Sequence, residues 1–131
     1  MLLNYNVVLY NIYIHTNIDY PVLFMYVANL SAGQWSVSVK RGTSDLSIAD
    51  EMWSTLSMSC IGEWIQHSEY INGIVVSPRK YEIRIQVWTR DGNNEPVQME
   101  IGRKLKEIMK INERIEYKLF HTKSKGPEYI L

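Results

Sequence analysis

Two arginines flank a predicted tight turn in the middle of the chain. Residues 73–89 predict two strands joined by this turn, with a β-branched run at 74–76 and strict alternation at 83–88. Arg79 lies just before the turn and Arg84 just after it. A guanidinium donates paired hydrogen bonds to phosphate oxygens, so the two are candidates to bind a phosphate chain. The alternative, which this stretch alone favours, is a solvated strand face with ordinary surface arginines.

The second strand of this hairpin separates its side chains onto two faces. One face carries Ile83, Ile85 and Val87, and the other carries Arg84, Gln86 and Trp88. Alternation with a period of two is typical of a strand that buries one face. The opposite face then presents a cation, an amide and an indole in a row.

The composition is that of a single globular domain. The chain has 131 residues, of which 46% are hydrophobic and 21% charged, and this length can bury a core without disulfides or metals. Its 14 basic residues equal its 14 acidic ones, so the chain as a whole is not a polyanion binder. Residues 103–125, however, hold eight Lys or Arg against three Glu. This basic region either attracts a phosphate ligand or is a charged helix face.

No pattern of residues predicts catalysis or a metal site. Cys60 is the only cysteine, which excludes an intrachain disulfide and fits a reducing compartment. The helical pattern around it predicts a buried small side chain rather than a nucleophile. The histidines, His15, His67 and His121, are scattered along the chain. We therefore expect a binding protein rather than an enzyme, with no metal and no cofactor.

Residues 1–30 differ in composition from the rest of the chain. They contain no Lys or Arg and a single acid, Asp19, so they lack the basic region of a signal peptide. Polar residues interrupt every apolar run before the ~20 residues that a membrane helix needs. Strands are predicted at residues 10–14 and 22–27.

Two helices are predicted. The first spans residues 46–61, with Ser44 or Ser47 as its cap and Gly62 as the left-handed residue at its end. Its buried stripe consists of Leu46, Ala49, Trp53, Leu56 and Cys60. The second helix spans residues 95–110 and follows a strong turn signal. Its buried face consists of Val97, Ile101, Leu105, Ile108 and Met109.

Further strands complete the predicted fold. They are residues 31–40, 115–120 and 129–131, in addition to the central hairpin. Strands joined by a short turn must be antiparallel. The order of elements therefore predicts an α+β domain with one antiparallel sheet and helices packed on one face.

Short residue strings follow one another at a characteristic spacing over residues 31–131. They are Ala32-Gly-Gln-Trp35; Asp50-Glu-Met-Trp53 with Ile61-Gly-Glu63; Asn72-Gly-Ile-Val-Val-Ser-Pro-Arg79; Val87-Trp-Thr89; and Asp91-Gly-Asn-Asn-Glu95 with Glu100-Ile-Gly-Arg-Lys-Leu105. In this order they resemble the eukaryotic translation initiation factor 4E family, which binds the messenger-RNA 5′ cap. The resemblance implies a curved antiparallel sheet with helices on its convex face and the cap in its concave front.

The resemblance also implies a site. In the family, two tryptophans sandwich the methylated guanine, a glutamate binds its base edge, and basic residues hold the triphosphate. Arg79 matches the family's phosphate-binding Arg, and Arg84 matches a basic position on the same phosphate chain. Trp88 matches the Trp that lies against the guanine methyl. Lys123, with Lys125, falls in a C-terminal loop that can close over the phosphates.

The family's partners and location follow as expectations. The ligand would be the 5′ cap, the protein partners would be scaffold initiation factor 4G or 4E-binding proteins, and the location would be cytoplasmic, with no membrane partner. Ser54 and Thr55 stand where the family has its partner-contacting Leu and Glu, which weakens the expectation of scaffold binding.

The N-terminal part of the family pattern is missing. Residues 1–34 contain no Trp and no Glu, although the stacking tryptophans and the glutamate belong there. We therefore expect residues 1–30 to be an atypical segment, residues 31–131 to form the cap-binding-protein-like domain, and the fold to be incomplete at its N-terminus. The predicted function is cap binding with only the phosphate half of the site retained. The alternative is a degenerate or truncated member that does not recognise the cap and acts as a protein- or RNA-interaction domain.

Overall fold

The computed structural model describes residues 7–10, 13–15, 31–42 and 45–131. Their strands are β1 (Val7–Tyr10), β2 (Tyr13–His15), β3 (Gly33–Lys40), β4 (Ile71–Pro78), β5 (Glu82–Thr89), β6 (Glu116–Leu119) and β7 (Tyr129–Ile130). Their helices are α1 (Asp45–Ile61) and α2 (Glu95–Met109), with a 3-10 turn at Ser68–Tyr70.

The strands form one sheet in the order β2-β1-β4-β5-β3-β6-β7. Every neighbouring pair is antiparallel. Side chains of both helices join those of one sheet face in a single core, which includes Ala49 and Leu56 of α1 and Ile101 and Leu105 of α2. The predicted α+β class, with helices packed on one face of an antiparallel sheet, is confirmed.

The N-terminal strands differ from the prediction. The predicted strand at 10–14 is divided between β1 and β2, which pair with each other, and β1 continues the sheet beside β4. The predicted strand at 22–27 lies outside the described residues.

The central hairpin of β4 and β5 is confirmed. Ile83, Ile85 and Val87 are buried against the helices, whereas Arg84 and Gln86 are partly exposed on the opposite face. The alternation breaks at Trp88, which shares the face of Arg84 but is buried.

Helix α1 has the predicted span, but its buried face is rotated around the helix axis relative to the predicted stripe. Ala49 and Leu56 are buried as predicted, whereas Trp53 and Cys60 are only half-buried. Met52 and Ser59 are also buried, because the stripe on a helix drifts with its period of 3.6 residues. The predicted cap Ser44 and the side chain of Leu46 lie outside the described residues.

The predicted left-handed residue at the end of α1 is wrong. Gly62 has no positive φ, and the next residue, Glu63, takes the left-handed conformation with φ of 53°. Gly62 is instead restricted by space, since a Cβ there would lie 2.9 Å from the ring of Trp64.

Helix α2 lies very close to the sheet at one position. A Cβ on Gly102 would lie 2.6 Å from the Trp35 ring of β3. Ile101, Leu105 and Met109 are buried around this contact, as predicted. The absence of a side chain on Gly102 therefore sets the distance between α2 and β3.

A buried polar cluster joins the same helix to β5 and β6. The Thr89 hydroxyl donates to Gln98 Oε1 at 2.9 Å and lies 2.9 Å from the Tyr117 hydroxyl. Gln98 Nε2 donates to the carbonyl oxygens of Arg90 at 2.9 Å and Asp91 at 3.2 Å. Each buried polar atom in this cluster therefore has a partner, as burial requires.

We expect Gly102→Ala to destabilise the fold. Overpacking against the rigid Trp35 ring costs about 1–3 kcal/mol, and the higher helix propensity of alanine offsets about 1 kcal/mol of that. Urea unfolding followed by tryptophan fluorescence should show a lower midpoint. Gly126→Ala is the matched control, because a Cβ there meets no atom within 4 Å. A midpoint raised by the full helix-propensity gain of alanine, about 1 kcal/mol, would contradict the close contact, since that gain would then be unopposed.

Candidate functional site

The sheet face opposite the helices carries Arg84, Gln86 and Trp88 of β5 in a row. Arg84 lies between Ser77 of β4 and Ser38 of β3. Four residues further along, Trp88 lies between Gly73 of β4 and Gln34 of β3. At the strand rise of 3.3 Å per residue, these two positions are about 13 Å apart.

Arg79 lies at the end of this row, in the β4–β5 turn. Its backbone N–H donates to the Glu82 carbonyl oxygen at 2.7 Å, which closes the turn. The Arg41 N–H donates to the Tyr81 carbonyl oxygen at 3.0 Å, so the end of β3 is held against the same turn. The end of β3 and the β4–β5 turn enclose an open cleft of about 560 Å³, which we call the turn cleft. The residues that line it are Lys40, Arg41, Arg79, Lys80, Tyr81 and Glu82.

Glu82 pairs with one of the two predicted phosphate-binding arginines, Arg84. Arg84 Nη2 donates to Glu82 Oε1 in a short ion pair. This hydrogen bond is the main cause that holds the pKa of the Glu82 carboxyl below its ordinary value, and desolvation opposes it. A hydrogen bond from Ser38 and the charges of Arg84 and Arg79 lower the pKa further. Arg84 is therefore the guanidinium that binds this carboxylate, and an anionic ligand would compete with Glu82 for it.

The Arg84–Glu82 pair is weak enough for a ligand to replace it. The Arg84 side chain is 37% exposed and that of Glu82 is 28% exposed, and partly exposed pairs contribute about 0–1 kcal/mol after solvent screening. A phosphate chain carries more charge than one carboxylate and accepts bidentate bonds from a guanidinium.

Trp88 is held by residues from distant parts of the chain. Its indole N–H donates to Gln34 Oε1 at 3.1 Å, and the Phe120 ring meets it edge-on at a centroid distance of 5.9 Å and an angle of 87°. Only 4% of Trp88 is exposed. The indole is therefore fixed in orientation, with little of its surface open to solvent.

Lys123 lies in an exposed loop between β6 and β7. The loop is supported locally, because the Ser124 N–H donates to Thr122 Oγ1 at 3.2 Å and the Gly126 N–H donates to Ser124 Oγ at 3.4 Å. Lys123 is not among the residues that line the turn cleft. The structure thus places Arg79 in the turn cleft, Arg84 beside Glu82 on β5, Trp88 further along β5, and Lys123 on a separate loop.

Sequence reasoning missed the residues that complete the turn cleft, Lys40, Arg41 and Lys80. No local pattern in the sequence indicates them, because the cleft depends on the pairing register of two distant strands. β3 runs antiparallel to β5 with Lys40 opposite Glu82, so the Lys40–Arg41 pair at the end of β3 must lie beside the turn that carries Arg79 and Lys80.

The environment of Cys60 opposes nucleophilic chemistry. Burial raises the pKa of its thiol to about 12, so the reactive thiolate is scarce near neutral pH. Among the described residues, no group of three or more His, Cys, Asp or Glu is placed to hold a metal ion. No helix within the described ranges is long and apolar enough to cross a membrane.

The family model for eukaryotic initiation factor 4E matches residues 24–129. The chain belongs to the eukaryotic initiation factor 4E family. The resemblance seen in the sequence is therefore confirmed, and the match begins seven residues before residue 31, where the residue strings place the start of the domain.

Relatives from plants and animals that are similar to this chain are initiation factors of the same family. The chain is 36% identical over 96 residues to eukaryotic translation initiation factor isoform 4E-2 of Triticum aestivum, a match that covers 73% of this chain and 44% of the relative. It is 35% identical over 95 residues to factor 4E1 of Drosophila melanogaster, covering 70% of this chain and 36% of the relative. The chain thus spans under half the length of these relatives.

Solved structures share the fold. C. elegans eIF4E-3 in complex with the 4E-binding protein Mextli has a TM-score of 0.74 at 31% identity, with 80% of this chain and 61% of that chain covered. Ascaris suum eIF4E-3 with an m7G cap has a TM-score of 0.70 at 33% identity, with 77% of this chain and 57% of that chain covered.

We expect Glu82→Gln to raise the affinity for tripolyphosphate by up to about fivefold, because it releases Arg84 from a pair worth about 0–1 kcal/mol. Isothermal titration calorimetry at low salt measures the change. Glu107→Gln is the matched control, since Glu107 forms an exposed pair with Lys104 at 3.0 Å on α2. Equal gains in both variants would show a general charge effect, and no gain in Glu82→Gln would exclude competition by Glu82.

We expect Cys60 to react with iodoacetamide on the order of a thousandfold more slowly in the folded protein than in urea at about pH 8. Because burial raises the pKa of the thiol, the folded protein keeps the thiol proton to a higher pH than the unfolded chain, whose thiol pKa is near 8.5. The free energy of unfolding therefore falls as the pH rises from about 8.5 through the folded pKa. Mass spectrometry of quenched samples measures the rate. A rate in the folded protein equal to that of a free thiol would contradict the burial of this thiol.

Proposed function

We propose that this chain provides the phosphate-binding side of an mRNA 5′ cap site in translation initiation. The observation that carries the proposal is the placement of two arginines around Glu82 at the β4–β5 turn: Arg84 pairs with the Glu82 carboxylate, and Arg79 lines the turn cleft together with Glu82. Family membership supplies the ligand class, and the m7G complex of A. suum eIF4E-3 supports it by analogy.

Each basic residue has a distinct role in this proposal. Arg84 turns its guanidinium from Glu82 to the triphosphate and keeps a charge-assisted bond throughout. Arg79 binds from the turn, where its side chain is exposed. Lys123 approaches from the loop before β7 and adds a third positive charge when that loop closes.

Trp88 contributes at the opposite end of β5. A cationic methylated guanine is attracted to the face of an indole. Phe120 and Gln34 already contact Trp88. Unless Phe120 moves, the ligand can therefore reach only the small part of the indole that remains exposed. We therefore propose a methyl contact rather than a full stacking interaction.

The alternative function is a family member that does not recognise the cap and binds protein or RNA. The burial of Trp88 favours it, because little of the indole surface is open to a methylated guanine. In this alternative the ligand lacks a stacked aromatic face, which is worth about 1–3 kcal/mol, or about five- to a hundredfold in affinity.

The proposed protein partners are scaffold initiation factor 4G or 4E-binding proteins, and the proposed location is the cytoplasm. The complex of C. elegans eIF4E-3 with Mextli supports this partner class. On α1, Ile48 is 47% exposed and Met58 is 58% exposed, so an apolar surface is available. Ser54 and Thr55 are also exposed on this helix and offer a partner only polar contacts.

The test is competition between cap analogues for the site. Fluorescence polarisation with labelled 7-methylguanosine triphosphate should show salt-sensitive binding, and unlabelled GTP should compete less well than the methylated analogue. Arg79→Ala should weaken binding about ten- to a hundredfold, because a hydrogen bond to a charged group is worth about 1.5–3 kcal/mol. Arg103→Ala, an exposed cation on α2, is the control. Equal competition by GTP would support the alternative, and an unaffected Arg79→Ala would exclude the site.

A further inference from the structure

The polar face of β5 has a middle position to which the proposed cap site gives no role. Gln86 lies two residues after Arg84 and two residues before Trp88, with its side chain on the same face. At a strand rise of about 3.3 Å per residue, Gln86 is about 7 Å along the strand from each of them. The face therefore presents a guanidinium, an amide and an indole in that order and at equal spacing.

The exposure of the neighbouring strands indicates on which side of Gln86 a ligand can lie. On the β4 side, its register partner Val75 is 2% exposed, and the next residue on this face, Ser77, is 5% exposed. On the β3 side, its register partner Ser36 is partly exposed, and the next residue on this face, Ser38, is exposed. A ligand that reaches this face from solvent therefore lies over β5 and β3, beside polar side chains.

The amide of Gln86 is available to such a ligand. Within the part of the chain that the structure describes, no hydrogen bond uses the side chain of Gln86 or the hydroxyl of Ser36. Gln34, in contrast, is engaged, because its Oε1 accepts from the Trp88 indole at 3.1 Å. An amide has one acceptor oxygen and two N–H donors, so Gln86 can both donate to a hydroxyl group and accept from one.

The cap nucleotide carries its own groups in the same order. In 7-methylguanosine triphosphate, the ribose joins the base to the phosphates. With the phosphates at Arg84 and the methylated base at Trp88, the ribose lies at the intermediate position, beside Gln86. Each ribose hydroxyl is a donor and an acceptor, which matches an amide. The 2′-hydroxyl is also the group by which a protein distinguishes a ribonucleotide from a deoxyribonucleotide.

We propose that Gln86 binds the ribose hydroxyls of the cap nucleotide and makes the site selective for a ribonucleotide. This inference rests on the function proposed above, because that function supplies the two ends of the ligand. A glutamine that only faces solvent would give no such selectivity. A glutamine that bound the phosphates would contribute equally to the binding of tripolyphosphate, which has no ribose.

The test compares two ligands, 7-methylguanosine triphosphate and its 2′,3′-dideoxy analogue, by isothermal titration calorimetry of the full chain. We expect the unsubstituted protein to bind the ribonucleotide about two- to tenfold more tightly, since this is the usual effect of one uncharged hydrogen bond. Gln86→Met keeps a long side chain without the amide. This variant and Gln86→Ala should lose the preference and bind the dideoxy analogue as tightly as the unsubstituted protein does.

Two controls accompany these titrations. Unchanged affinity for tripolyphosphate shows that each Gln86 variant is folded and keeps its phosphate contacts. Gln66→Ala removes an exposed glutamine from the loop after α1, and it should keep the full preference for the ribonucleotide.

Each contrary outcome has a distinct meaning. Equal affinity of the unsubstituted protein for the two nucleotides, with both bound more tightly than tripolyphosphate, would overturn the role of Gln86 and leave the cap site standing. An equal loss of both nucleotides in Gln86→Met would also overturn it, because the contact would then not involve the ribose. If the unsubstituted protein binds neither nucleotide more tightly than tripolyphosphate, the base contact at Trp88 fails, and this inference fails with it.

Discussion

The side chain of Gln98 links helix α2 to the sheet, and the position of the site depends on this link. Gln98, Thr89 and Tyr117 are each fully buried, and a buried polar atom without a partner costs about 1–3 kcal/mol. Sliding α2 along the sheet by one residue would break these bonds at once. Gly102, one turn further along the helix, allows the same register by letting Trp35 approach closely. The hydrogen bonds and the close packing therefore select one arrangement.

The orientation of β5 follows from this arrangement, and so does the layout of the site. Because Thr89 points to Gln98 on the helix side, Trp88 must point to the other face, and the period of two places Arg84 and Glu82 there as well. Trp88 lies six positions after Glu82, which is about 20 Å along the strand. The charged end and the aromatic end of the face are thus rigidly spaced, so only an extended ligand with an anionic end and a cationic or aromatic end can use both.

Much of the fold could be predicted from periodicity, because alternation and helical stripes record which face of an element is buried. The β4–β5 hairpin, α2 and the polar face with Arg84 are confirmed on that basis. What was missed depends on contacts between distant residues. The burial of Trp88 requires Gln34 and Phe120, and the turn cleft exists only because β3 pairs with β5. The end of α1 was predicted wrongly because Glu63, not glycine, takes the left-handed conformation.

The forces that stabilise the fold and those at the site respond differently to solution conditions. The Gln98 cluster and the core around Trp35 are shielded from solvent, and salt screens buried interactions far less than exposed ones. The charges at the β4–β5 turn are partly or largely exposed, so salt weakens their attraction for an anion. For Glu82 the lowered pKa means that its stabilising contribution is present above the unfolded carboxyl value and is lost as the pH falls through the folded one. At neutral pH the carboxylate is therefore ionised and competes with a ligand for Arg84, while the fold retains its stability. An anion at this turn would therefore compete with a partly exposed carboxylate and not with the buried contacts of the core.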